Sequence, residues 1–182
     1  MSNTDFFEQF EDAIFDGDIE AIKKIVADGG DINEISDNQQ NPMTLLALCE
    51  ESSPELVEGM IELGCDPNKT VEYRRSFSGA DALCVAINRG YELSAKLLVE
   101  TEEDVNLPSG GMGDTPLIAA MKAATKKPEF ALAMLELLME KGADPKIKNK
   151  NDLSAIDVAN GHSEHERWSP DIGERVASIL NA

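Results

Sequence analysis

Two histidines stand three residues apart beside carboxylates in His162-Ser163-Glu164-His165-Glu166. On a helix, that spacing would place part of a zinc site on one face, because tetrahedral Zn²⁺ takes imidazole and carboxylate ligands from neighbouring turns. No third ligand is placed by sequence, and the segment reads as an irregular polar loop over 160–167, so no metal is expected. Gly110-Gly111-Met112-Gly113 imitates a phosphate loop, yet no Lys-Ser/Thr follows it and no strand-to-helix dinucleotide unit surrounds it. The chain has only two histidines, which leaves a Ser-His or Cys-His nucleophile without support. Cys49, Cys65 and Cys84 cannot pair evenly and lack metal-like spacing, so each reads as a reduced packing residue. The residues capable of chemistry therefore predict no enzyme, no cofactor and no metal, and leave recognition as the task.

The elements that would carry recognition are periodic. Gly29-Gly30-Asp31-Ile32-Asn33, Gly64-Cys65-Asp66-Pro67-Asn68, Glu102-Glu103-Asp104-Val105-Asn106 and Gly142-Ala143-Asp144-Pro145-Lys146 close four segments in the same way, at intervals of 35, 38 and 40 residues. Blocks 8–33, 43–68 and 81–106 align without a gap. Phe10, Ala13, Ile14, Ile22, Ile25 and Val26 recur as Leu45, Leu48, Cys49, Val57, Met60 and Ile61, and again as Leu83, Ala86, Ile87, Ala95, Leu98 and Val99. This spacing predicts two short amphipathic helices with a turn at Asp16-Gly17-Asp18, Ser52-Ser53-Pro54 or Arg89-Gly90-Tyr91. A helix-turn-helix with one apolar face must be buried by its neighbours, so the fold is a stack.

Thr115-Pro116-Leu117-Ile118-Ala119-Ala120, followed by Leu137-Leu138-Met139-Glu140-Lys141-Gly142-Ala143-Asp144, resembles the ankyrin repeat. Weaker versions start at Met43, Asp81 and Ser154. The resemblance covers nearly the whole chain and implies an all-α ankyrin-repeat solenoid of helix-turn-helix units with β-hairpin or loop fingers. It reads as one domain over 1–182, with repeats near 5–36, 40–71, 78–109, 112–148 and 151–182. The family's usual His after the Leu is missing, its slot being assigned to Glu11, Leu46, Cys84, Ile118 and Asp157.

Charge is unevenly spread. Residues 1–68 hold 17 Asp and Glu against Lys23 and Lys24, a net of −15, while residues 69–182 hold 18 acids and 14 bases, a net of −4. Such a field repels nucleic acid and anionic membrane and attracts a basic protein. The same acids also serve simply to keep a protein soluble, and the sequence leaves the two readings level. Met1-Ser2-Asn3-Thr4-Asp5 has no positive n-region, and the longest apolar run, near 131–139, is too short to span a bilayer, so a cytoplasmic protein, monomeric when free, is expected.

The resemblance implies that a partner lies along the concave face made by finger tips and inner-helix ends. Finger tips bring Gln39, Gln40 and Pro42, then Phe77, Ser78 and Ala80, then Gly111, Met112 and Asp114, then Lys150, Asn151 and Leu153. Helix ends bring Phe15 and Asp16, Glu50 and Glu51, Asn88 and Arg89, and Lys122 and Ala123. The long connection 69–80 adds Tyr73, Arg74 and Arg75, types that carry much interface energy. Tyr73 and Phe77 read equally well as caps on a longer hairpin. Six extra residues within 122–130 predict a longer inner helix or turn carrying a small basic patch. At the ends, Asp5 with Glu8 reads as a capping box, Ser169-Pro170 as the start of a last helix, and Trp168 as a cover for the core.

The expected function is non-enzymatic binding and inhibition of a basic protein by the acidic concave face, as an immunity or antitoxin protein does. The alternative is a cytosolic adaptor or scaffold binding a peptide or protein through the finger at 69–80.

Overall fold

A short polar residue opens most helices and satisfies a backbone N–H that the first turn leaves without a partner. Asp18, Asn41, Ser53, Asp81, Thr115 and Ser169 accept from Ala21, Thr44, Leu56, Cys84, Ile118 and Ile172 respectively. Proline follows at the first helical position after Asn41, Ser53, Thr115 and Ser169, where its missing N–H costs nothing. The computed structural model describes residues 3–37, 39–49, 52–73, 77–101, 104–164 and 168–181, without the side chains of 3–5, 71–79 and 162–164.

Among the described residues ten helices form five antiparallel pairs: α1 (Asn3–Phe15) with α2 (Ile19–Ala27), α3 (Pro42–Ala47) with α4 (Pro54–Glu62), α5 (Ala82–Arg89) with α6 (Glu92–Thr101), α7 (Pro116–Ala123) with α8 (Pro128–Glu140), and α9 (Ala155–Glu164) with α10 (Pro170–Leu180). The odd-numbered helices pack in sequence order as an inner layer, and the even-numbered ones as an outer layer. One hydrophobic cluster runs between the layers from Phe7 to Leu180, with Phe10, Ile22, Leu83, Leu98 and Leu117 fully enclosed. Each such side chain stabilises the stack by about 1.5–3 kcal/mol. Trp168 is buried at the last pair, where the sequence places a cover. Strands β1 (Val71–Tyr73) and β2 (Phe77–Ala80) form an antiparallel hairpin in the second finger.

Neighbouring pairs are also joined by polar staples. Asn33 bonds to Gly64 and Asp66, and Asn106 bonds in the same manner to Gly142 and Asp144. Gly29, Gly64 and Gly142 open these turns at φ of 100°, 86° and 88°, a left-handed region that side chains resist.

Four sequence expectations need correction. The gapless alignment fails in the second repeat, because Asn41 rather than Met43 caps α3. Asn41 stands 13 positions before Pro54, whereas Asp81 stands 11 before Glu92. The His slot of that repeat therefore belongs to Thr44, not Leu46. Thr44 acts there as a capping box: its Oγ1 accepts from the Asn41 N–H at 3.0 Å, and Asn41 Oδ1 accepts from the Thr44 N–H at 2.8 Å. Asp157 fills the slot in the last repeat, accepting from the Ser154 N–H and hydroxyl at 2.9 and 2.6 Å.

Asp5 falls inside α1, which already runs from Asn3, rather than at the start of the helix. The insertion near 122–130 enters the turn at 124–127, one of the two places expected for it, but leaves α7 at eight residues, the length of α5, and extends the outer helix α8 to 13 residues, against nine or ten in α2, α4 and α6. Residues 160–164, expected as loop, continue α9.

Candidate protein-binding surface

Each finger is closed by local backbone bonds. In the first, the Ser36 N–H donates to the Gln40 carbonyl at 2.8 Å and the Gln40 N–H returns to Ser36 Oγ at 3.1 Å. Gln39 sits exposed between them at φ 57°, and Gln40 is half-buried. Pro42 is no finger tip: it is buried as the first residue of α3. In the second finger Tyr73 is the Cα partner of Phe77, with a bulge between Val71 and Glu72. Ala80 is buried at the foot of this hairpin rather than presented at its tip. Arg74 and Arg75 lie outside the described residues, as do the side chains of Tyr73, Phe77 and Ser78.

The third finger turns through Gly110 and Gly113, at φ 78° and 64°, and is closed by the Ser109 N–H on the Asp114 carbonyl at 2.8 Å. These glycines make a turn and not a phosphate cradle. Met112 stands 44% exposed at the tip. Asp114 is committed on both carboxylate oxygens: Lys122 Nζ donates to Oδ2 at 2.5 Å and Asn149 Nδ2 to Oδ1 at 2.7 Å. The fourth finger leans on the third, with the Lys150 N–H donating to the Met112 carbonyl at 2.9 Å. The structure thus brings together Met112, Asp114, Lys122 and Lys150, across two fingers and one inner helix.

The helix ends are less uniform. Phe15 is 56% exposed at the end of α1, beside exposed Asp16. Asn88 turns back on its own helix, donating to the Cys84 carbonyl at 2.7 Å, and Arg89 is half-buried. Glu50 and Glu51 lie outside the described residues. Asn149 and Ser109, which the sequence reading passed over, tie the fingers together: Asn149 reaches Asp114, and Ser109 Oγ accepts from the Asp81 N–H at 2.7 Å. Their signal in the sequence is a short polar residue directly before each glycine or lysine turn.

Electrostatics divide the molecule. Five cations of the second half form ion pairs among the described residues, Lys96 with Glu92, Lys122 with Asp114, Lys141 with Glu100, Lys148 with Asp152 and Arg175 with Glu129, while Lys127 Nζ holds the Gly90 carbonyl at 3.0 Å. In the first half the one such pair is Lys23 with Glu20 among the described residues. Its acids therefore keep most of their field.

Buried titratable groups are not reactive ones. Burial pushes the Cys49 thiol up to about 11 and the Cys65 thiol to about 12, and raises Cys84 well above its ordinary value. All three are free thiols held protonated. Burial also raises Asp81, against the opposing bonds from the Cys84 N–H and Ser109. Among the described residues no group of three His, Cys, Asp or Glu could hold a metal ion; His165 lies outside them. No described helix is long and apolar enough to cross a membrane.

The profile for ankyrin repeats, in three copies, matches residues 45–149, more than half of the chain. The chain belongs to the ankyrin-repeat family. The helix pairs within the matched span are ankyrin repeats, in a family of protein-protein interaction modules that are typically non-enzymatic. The B-cell lymphoma 3 protein homolog of Mus musculus is 28% identical over 113 residues, 62% of this chain and 24% of that protein. An ankyrin repeat-containing protein of Saccharomyces cerevisiae is 27% identical over 123 residues, 64% of this chain and 68% of its own length. Oxysterol-binding protein-related protein 1 of Rattus norvegicus is 42% identical over 73 residues, 40% of this chain and 7% of that protein. The chain thus spans about a quarter of the mouse relative and a small part of the rat one.

Proposed function

We propose that this ankyrin stack binds and inhibits a basic protein by presenting its acidic first two repeats along the concave face, in the manner of an immunity or antitoxin protein. One observation carries the reading: the net −15 of residues 1–68 has only Lys23 and Lys24 within it as counter-ions, whereas residues 69–182 hold 14 bases against 18 acids, and Lys96, Lys122, Lys141, Lys148 and Arg175 among them form ion pairs. A field of this kind speeds encounter with a cationic surface and opposes nucleic acid and anionic membrane. Exposed Phe15 beside Asp16 supplies an apolar anchor within it, and Gln39, Gln40, Glu50 and Glu51 extend the contact. The target would be a cationic site that takes an anionic substrate, in the cytoplasm, with this chain monomeric before binding.

The test is capture of partners from the native cytosol at low and high salt, followed by titration of the recovered protein. A basic partner released by salt and lost on Glu50→Lys with Glu51→Lys supports inhibition. A partner indifferent to both overturns it.

A second reading rests on the hairpin, where Tyr73 and Phe77 are cross-strand partners. An adaptor would bind through Tyr73, Arg74, Arg75, Phe77 and Ser78, together with Asn88, Arg89, Met112 and Asp114. Alanine at Tyr73 and Phe77 would abolish capture in that case and leave the salt-sensitive complex intact in the other.

A further inference from the structure

Between α6 and α8 the outer layer opens into a groove of about 380 Å³. Leu93 and Leu97 of α6 and Ala133 and Leu137 of α8 form its floor, and Glu136 and Glu140 border it along α8. Leu93 is 44% exposed. These residues occupy the same register in successive repeats, Leu93 with Ala133 and Leu97 with Leu137, each pair 40 positions apart.

The corresponding positions are exposed Glu20 and Lys24 in α2 and exposed Glu55 in α4, with Gly59 of α4 buried under Ile19. Charge is what a solvent-facing helix surface calls for, so the aliphatic residues on α6 and α8 depart from the molecule's own pattern. The first junction also shows what such a groove accepts. Ile19 lies over Gly59, its side-chain carbons 2.6 Å from where a Cβ would stand. The residue of α6 equivalent to Ile19 is Glu92, which pairs with Lys96 at 2.6 Å, and Leu137 stands at the place of Gly59, so the groove carries its own aliphatic surface and is left uncovered from α6.

The border selects the occupant. The cations near it are engaged, Lys96 with Glu92, Lys141 with Glu100 at 2.5 Å and Arg175, which lies within the field of Glu136, with Glu129, whereas Glu136 and Glu140 form no ion pair among the described residues. Glu136 and Glu140 are four residues apart and so share one helix face. A second copy of this chain, at −19, is repelled, as are membranes and nucleic acids. The span from Leu93 to Glu100 is two helical turns, about 10 Å, enough for aliphatic anchors at i, i+3 or i+4 and i+7.

We propose that the groove between α6 and α8 docks a short cationic amphipathic helix of a partner protein, its aliphatic face on Leu93, Leu97 and Leu137 and its lysines or arginines on Glu136 and Glu140. This convex site is separate from the concave face and does not depend on it.

The probe is a fluorescein-labelled helical peptide of leucine and lysine, with leucines at i, i+3, i+4 and i+7, titrated by anisotropy and mapped by methyl NMR on the full chain. The methyl groups of Leu93, Leu97, Ala133 and Leu137 should move most. Leu93→Glu with Leu97→Lys installs the residues that α2 already carries at these positions, and circular dichroism verifies that the variant is folded. That pair, and separately Glu136→Lys with Glu140→Lys, should weaken binding by about tenfold or more. Glu8→Lys with Asp12→Lys, exposed on α1 in the first repeat, should change it by no more than about twofold, the share expected of a screened distant charge. Unchanged affinity in the Leu93/Leu97 variant, or shifts confined to the inner layer, overturns the proposal.

Discussion

Asn33 Oδ1 accepts the backbone N–H of Asp66 at 2.7 Å, while its Nδ2 donates to the Gly64 carbonyl at 2.7 Å, so one side chain holds the turn of the following repeat from both sides. Asn33→Ala removes two partly shielded hydrogen bonds and should destabilise the stack by about 1–2 kcal/mol. Thermal denaturation should show a Tm lower by roughly 3–6 °C.

Asn68 occupies the equivalent place in the second repeat, yet its Oδ1 is buried without a hydrogen-bond partner among the described residues. Asn68→Ala should therefore cost less than half of Asn33→Ala. The third closing turn reads Glu102-Glu103-Asp104, where the others begin with Gly29, Gly64 or Gly142. Glu102→Gly should raise stability by about 1 kcal/mol. In that background Asn68→Ala should become costly, an interaction that a double-mutant cycle measures directly.

Thr44 and Asn41 are each 1% exposed and hold one another in a capping box. Thr44→Val leaves the Asn41 N–H buried without an acceptor, at a cost of about 1–3 kcal/mol, while Thr44→Ser keeps the oxygen and should recover most of it. Urea unfolding of the two variants separates the hydroxyl from the methyl contribution.

Asp81 gives a pH signature. Its folded-state pKa is raised by burial above the ordinary 3.8, so the folded state favours the protonated form. Its contribution is present in full below 3.8 and is lost as pH rises through the raised folded value. Asp81→Asn keeps the oxygen that accepts the Cys84 N–H at 2.8 Å and removes the buried charge. The variant should be more stable than the parent at pH 7, and the difference should shrink toward pH 3. A constant difference across that range would show that the charge is not what Asn removes.

The thiols should be silent in the native state. With Cys49 at about 11 and Cys65 at about 12, and Cys84 raised further by burial, thiolate is scarce at pH 8. Mass spectrometry after a brief maleimide pulse should find the native chain unlabelled and all three cysteines labelled in denaturant. Rapid native labelling of Cys84 would contradict its enclosure.

The repeat architecture was legible because the apolar positions are fixed by helix period and by the need of each pair to bury one face; Phe10, Leu83 and Leu98 are all fully enclosed. Register within a repeat was less legible. Turns absorb extra residues without disturbing the core, so the two positions added before Pro54 shifted α3 unnoticed and hid Thr44 behind Leu46. The same tolerance sent the insertion near 122–130 into a turn and α8. Finger contacts such as Asn149 to Asp114 join residues 35 positions apart; the short polar residue before the turn marks one end of the contact, and only the stacking of the fingers names the other. The outer groove could have been found by asking which outward positions are aliphatic. That question needs the layers assigned first, because Leu93 and Leu98 look alike until one is known to face out and the other in.

At the junction of the second and third repeats the polar latch changes sides. The staple at Asn68 is incomplete, while Ser52 Oγ and Ser94 Oγ meet at 3.0 Å, and Ser94 Oγ donates to the Cys49 carbonyl at 2.6 Å, both serines fully enclosed. The connection is therefore strong at the helix-turn edge and weak at the edge that carries the hairpin 71–80. In a one-dimensional stack, cooperativity is only as strong as its weakest interface. The chain should behave mechanically like a book bound at Ser52 and Ser94: the first two repeats form one cover, the last three the other, and the opening lies on the side of the long finger.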